Sequence, residues 1–128
     1  MEEKSNKNTI LVIDDTPMII SALCRILLPY YYIKVAKNGE EGIAIAKEYD
    51  ICLILLDINM PGISGFDVIS RLKESENTSS IPIILVTGAE ESELESQGLQ
   101  LGAIGYIKKP FEEEEILQRV KKYIGGLS

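Results

Sequence analysis

The amino-acid sequence predicts an α/β fold: a single five-stranded parallel sheet with five helices on its two faces. Three observations lead there. Short apolar runs rich in β-branched residues recur five times, helix-length stretches separate them, and four of the five runs close on a polar residue. Right-handed crossovers restrict such an alternation to a few topologies. At 128 residues the chain is one domain, since domains run to about 100–200 residues, and it is long enough to bury a proper core without disulfides.

The first strand is expected at residues 10–13 (Ile-Leu-Val-Ile). In the helix after it, Thr16 and Pro17 supply the N-cap and first-turn proline. Ile19, Leu23 and Leu27 recur at four-residue spacing, and Pro29 ends the run. The second strand is residues 33–36, and the second helix follows Asn38-Gly39 with Ile43 and Ala46 facing inward. The longest apolar run, residues 51–56, is the expected central strand, because strands buried on both faces read as continuous apolar runs. A third helix carries Phe66, Ile69 and Leu72, and residues 83–86 form the fourth strand. The helix over residues 90–102 is the poorest of the five: Gly98 in its interior costs about 1 kcal/mol against alanine, and only Leu94, Leu99 and Leu101 offer anchors. A weak strand at Tyr106-Ile107 belongs at a sheet edge. The last helix has Ile116, Val120 and Ile124 on one stripe and stops at Gly125-Gly126. Its acidic run, residues 112–115, complements the positive end of the helix dipole.

Composition removes several function classes. Thirteen basic residues against twenty acidic ones leave a net charge of −7, which opposes direct nucleic-acid binding. There is no histidine, so an imidazole base, an imidazole metal ligand and a histidine kinase core are all excluded. Cys24 and Cys52 lie in apolar runs and read as small buried hydrophobes rather than a disulfide. Residues 1–8 form a polar N-terminal tail without signal-peptide character, and residues 125–128 a C-terminal tail or linker stub. The apolar runs are too short to span a bilayer, so no membrane insertion is expected and the location is expected to be cytoplasmic.

The polar strand ends carry the chemistry. Asp14 and Asp15 follow the first strand, Asp57 the third, Thr87 the fourth, and Lys108-Lys109-Pro110 the fifth. Each alone has an ordinary explanation as a cap, a turn or a solvated charge. Together they fall on the carboxyl edge, where open parallel sheets place their ligands. Three carboxylates without histidine or thiolate make an oxygen-only site suited to Mg²⁺, which would neutralise them and orient a phosphoryl group. A lysine ammonium and a threonine hydroxyl can meet phosphate oxygens, and an aspartate can act as nucleophile. The chemistry indicated is in-line phosphoryl transfer onto a carboxylate.

These same residues resemble the receiver domain of two-component response regulators. The resemblance runs from residue 9 to about residue 124 and rests on Ile13-Asp14-Asp15, on Leu56-Asp57-Ile58-Asn59-Met60-Pro61-Gly62, on Val86-Thr87-Gly88-Ala89, on Gly102-Ala103 and on Tyr106-Ile107-Lys108-Lys109-Pro110-Phe111. It implies a flavodoxin-like (βα)5 fold with strand order 2-1-3-4-5. It also implies Asp57 as phosphoacceptor, with Mg²⁺ held by Asp15, Asp57 and the main-chain carbonyl of Asn59, and by Asp14 through water. Thr87 would bond a phosphoryl oxygen and Lys109, before a cis proline, would pair with the phosphate. Lys108 shares strand parity with Tyr106 and should face the other way. Tyr106 matches the switch aromatic that follows Thr87, and Asn59 and Ala89 match positions that tune self-dephosphorylation. The implied partners are a sensor histidine kinase or histidine phosphotransfer protein, and an output domain or target reached through the helix 4–strand 5–helix 5 face.

Two features depart from many relatives. Ile104-Gly105 replaces an acidic pair, so although Arg119 matches a basic partner position, charged pairing of two receivers is not expected. The Asp-Asp-Thr-Pro phrase and residues 98–103 resemble receivers attached to cyclic-dinucleotide enzymes or hybrid kinases. Two other readings of the architecture are weaker. A flavin-mononucleotide carrier needs a phosphate-cradling first loop, which Asp14-Asp15 would oppose. A haloacid-dehalogenase-type phosphatase wants its aspartate on the first strand with a second two residues on, where this chain has Asn59 on the third.

Overall fold

The computed structural model describes residues 8–88 and 92–125. Ala89, the expected helix start at residue 90, the polar tail before Asn8 and the residues after Gly125 lie outside them. The elements run β1 (Thr9–Ile13), α1 (Pro17–Leu27), β2 (Tyr32–Ala36), α2 (Gly39–Glu48), β3 (Leu53–Asp57), α3 (Gly65–Glu74), β4 (Ile83–Thr87), α4 (Ser92–Leu101), β5 (Gly105–Lys108) and α5 (Glu113–Val120), with a π-helical turn at Lys121–Gly125. The strands form one parallel sheet in the order β2-β1-β3-β4-β5. β3 is central and β5 is an edge, as the apolar lengths predict.

Alternation along the strands feeds two cores. Leu11, Ile13, Ile54 and Leu56 point to the face covered by Ile43 and Ala46 of α2, by Val68, Ile69 and Leu72 of α3, and by Leu94 of α4. Ile10, Val12, Leu53 and Leu55 point the other way, onto Leu23, Ile26 and Leu27 of α1 and Ile116 and Val120 of α5. Each fully buried Leu or Ile contributes about 1.5–3 kcal/mol, so the rigid frame of the molecule is β1, β3 and β4. β2 is different: only Ala36 of its five residues is buried, because an edge strand is covered less completely.

Four expectations are corrected. β3 begins at Leu53 rather than residue 51. The cysteines are only partly buried, and the Cys52 thiol donates to the Thr9 carbonyl oxygen at 3.0 Å. Thr16 occupies the N-cap of α1, but its side chain makes no capping bond. The loop is turned instead by Asp14, whose Oδ1 accepts from the Thr16 amide at 2.9 Å. Finally, Leu99 and Leu101 are 41% and 40% exposed, so they do not anchor α4. Among its described residues the buried ones are Glu95 and Gly98. A Cβ on Gly98 would collide with Leu85 of β4, so the glycine lets helix and sheet approach closely.

Candidate functional site

The carboxyl edge of the sheet gathers the polar residues. Asp14 directly follows β1 and is 1% exposed; Asp57 closes β3 at 5%. The Asp14 amide donates to the Ala36 carbonyl at 3.0 Å, which pins the end of β1 to β2. Asp15, the next residue, is exposed. One carboxylate oxygen from each of Asp14, Asp15 and Asp57 lies within 4.8 Å of the others. Oδ2 of Asp14 is buried and has no hydrogen-bond partner among the described residues.

Asp57 has two stabilising neighbours. Its Oδ1 accepts from the Asn59 amide at 3.2 Å and lies 3.7 Å from Nζ of Lys109. They do not offset its surroundings. Burial pushes the Asp57 carboxyl up, the negative charge of Asp14 pushes it further, and Asp15 adds to this, so that it titrates at about 6. An orphaned buried carboxylate oxygen, three converging carboxylates and no imidazole or thiolate together fit a hard divalent cation, which would relieve the repulsion.

The two lysines diverge as strand parity requires. Lys109, whose peptide bond to Pro110 is cis, turns toward Asp57. Lys108 lies on the α4 side, with Nζ 3.8 Å from Oε2 of Glu95. Thr87 ends β4 opposite Lys108, and its hydroxyl donates to the same Glu95 oxygen at 2.8 Å. Tyr106 is half-buried against the α2–α3–α4 core. Its carbonyl accepts from Nη1 of Arg119 at 2.6 Å, so Arg119 is used within the fold. Asn59 is exposed and enters the site through its backbone amide.

Glu95 was not among the residues singled out in the sequence. It is 4% exposed, and the signal for it is faint: it stands one turn before Gly98, on the face that the glycine presses against the sheet.

The profile described as the response regulator receiver domain matches residues 10–121. Protein PilH of Pseudomonas aeruginosa is 33% identical over 118 residues, which cover 91% of this chain and 98% of that one. A Vibrio cholerae protein named "Probable cyclic di-GMP phosphodiesterase" is 38% identical over 122 residues. The chain spans only 28% of that protein, and 8% of hybrid signal transduction histidine kinase D of Dictyostelium discoideum, to which it is 34% identical. Among solved structures, the chemotaxis response regulator CheY4 of Vibrio cholerae superposes with a TM-score of 0.86 at 26% identity, covering 92% of this chain and 99% of that one. A CheY-like receiver domain protein from Methanospirillum hungatei gives 0.85 at 27% identity, covering 93% and 94%.

Proposed function

This chain belongs to the response regulator receiver domain family, and on that premise we propose that it accepts a phosphoryl group on Asp57 and passes the event to an output partner or domain. The observation that carries the reading is the setting of Asp57: at the end of the central strand, raised to about 6 by its burial and then by the neighbouring Asp14 and Asp15 carboxylates, and faced by Lys109.

Asp14, Asp15, Asp57 and the main-chain carbonyl of Asn59 would hold Mg²⁺. When bound, the cation neutralises the carboxylates and draws charge from the phosphoryl oxygens. A carboxylate oxygen of Asp57 attacks phosphorus in line. The new P–O bond forms as the P–N bond of a donor phosphohistidine breaks, and the electron pair leaves with the imidazole nitrogen. Lys109 balances the charge on the transferred group as a point cation. Thr87 turns its hydroxyl to a phosphoryl oxygen, and Tyr106 fills the space it vacates.

The chain turns over no separate substrate; it catalyses its own phosphorylation and loss of the phosphoryl group, with Asn59 and Ala89 tuning the latter. The donor is a sensor histidine kinase or a histidine phosphotransfer protein, and the output is reached through the α4–β5–α5 face. Residues 9–124 form the receiver unit. None of the helices among the described residues is long and apolar enough to cross a membrane, which is compatible with a cytoplasmic location. Incubation with acetyl phosphate and Mg²⁺ is expected to add the mass of one phosphoryl group, and a chelator to prevent it. Absence of any adduct with Mg²⁺, or an adduct formed equally fast in chelator, would overturn the reading.

A further inference from the structure

We infer that Glu95 is a positioning residue that holds the Thr87 hydroxyl away from the phosphoryl site, so that phosphorylation has to displace it. The inference rests on the proposed role of Asp57 and Thr87 and concerns what opposes it. Glu95 is 4% exposed, and its Oε2 accepts from the Thr87 hydroxyl at 2.8 Å. The second charge within reach, Nζ of Lys108, is farther away at 3.8 Å and 43% exposed.

A buried carboxylate is costly unless donors satisfy it. In the observed arrangement the close donor is Thr87. When that hydroxyl turns to a phosphoryl oxygen, Glu95 keeps, among the described residues, only the longer, partly solvated contact with Lys108. The lost bond therefore weighs against the phosphorylated arrangement. It also gives α4 a reason to move, because outward displacement carries Glu95 toward water. Gly98, one turn on, is what lets the helix bring Glu95 so close to β4. The two ends of the exchange are thus one hydroxyl and two competing anions, the Glu95 carboxylate and the phosphoryl group, and the domain becomes a two-state element biased toward rest.

Removing the acceptor should shift that bias by roughly tenfold, the equilibrium weight of one hydrogen bond to a charged group. The probe is beryllofluoride with Mg²⁺, titrated into wild type, Glu95→Ala, Glu95→Gln, Thr87→Ala and the Thr87→Ala/Glu95→Ala double variant. Glu95→Ala is expected to bind about tenfold more tightly than wild type. Glu95→Gln, which keeps an oxygen acceptor without the charge, should fall between them and guards against misfolding of the alanine variant. In the Thr87→Ala background the Glu95 substitution should change nothing, because its effect runs through the hydroxyl. A carboxylate that merely packs α4 would shift binding equally in both backgrounds.

A second readout needs no beryllofluoride. Amide exchange across α4 should quicken in Glu95→Ala and in Thr87→Ala alike, with no further increase in the double variant. Equal shifts in both backgrounds, or unchanged binding in Glu95→Ala, would overturn the role of Glu95 and leave the phosphoacceptor standing. Failure of the wild type itself to bind beryllofluoride would instead overturn the proposed function, and the inference with it.

Discussion

Nζ of Lys109 stands 3.7 Å from Oδ1 of Asp57, although their strands are not neighbours and β4 lies between them. The lysine follows β5 and reaches back along the carboxyl edge. Asp57 is nearly buried, so the pair is weakly screened and the ammonium matters more than a surface charge would. Lys109→Met is expected to slow labelling by acetyl phosphate about tenfold or more, because a preorganised cation beside the developing charge is removed. Lys109→Arg should not restore the rate fully, because a planar fork cannot substitute for a compact ammonium. An unchanged rate in Lys109→Met would show that the contact is structural.

Asp57 should also leave a mark on stability. Its carboxyl titrates at about 6, raised from 3.8. A raised acid binds its proton more tightly when folded, so its favourable contribution is complete below the unfolded value and is lost as pH rises through about 6. In chelator at pH 8, Asp57→Asn should therefore be more stable than wild type, by at most about 3 kcal/mol. The gap should close toward pH 4, and Mg²⁺ should stabilise the wild type selectively. Urea unfolding at the two pH values reads this, and coincident curves at pH 8 would remove the electrostatic strain from the account.

Gly98 sets two effects against each other. Alanine there would gain about 1 kcal/mol of helix propensity. Its methyl would press on Leu85, which is fully buried, and such overpacking costs about 1–3 kcal/mol. Gly98→Ala is therefore expected to lower the urea midpoint without changing the slope. A higher midpoint would mean that Leu85 yields easily and that the close approach of α4 is not enforced.

The lifetime of the phosphoryl group is expected to depend on residue 89. Hydrolysis needs a water held in line with phosphorus, and the methyl of alanine cannot orient one. Placing an acid or amide at that position, as in Ala89→Glu or Ala89→Gln, should speed phosphate release several-fold, with Mg²⁺ affinity nearly unchanged. Release measured on the purified phosphoprotein decides it. Decay no faster than wild type in either variant would place control of the lifetime elsewhere.

The frame and much of the site were legible because strand-end chemistry is local. An apolar run followed by Asp14, Asp57 or Thr87 announces both the strand and its polar edge, and the parity of residues 106–109 separates Lys109 from Lys108. What stayed hidden depends on distant neighbours. Leu99 and Leu101 looked like anchors because leucines in a helix usually face inward. The rotation of α4 is set instead by the contact of Gly98 with Leu85, which no local pattern reveals. Glu95 drew no notice in the sequence, since its burial follows only once Thr87 and Lys108 are known to lie beside it. Thr16 was read correctly as the N-cap position of α1, but the bond that shapes the loop comes from Asp14.

The central claim is that Asp57 carries the phosphoryl group. The most direct measurement is intact-mass spectrometry of wild type and Asp57→Asn after the same exposure to acetyl phosphate and Mg²⁺. The account predicts one added phosphoryl group on the wild type and none on the variant, whose amide keeps the size of the side chain but lacks the nucleophilic carboxylate. An adduct forming on Asp57→Asn at the wild-type rate would contradict it.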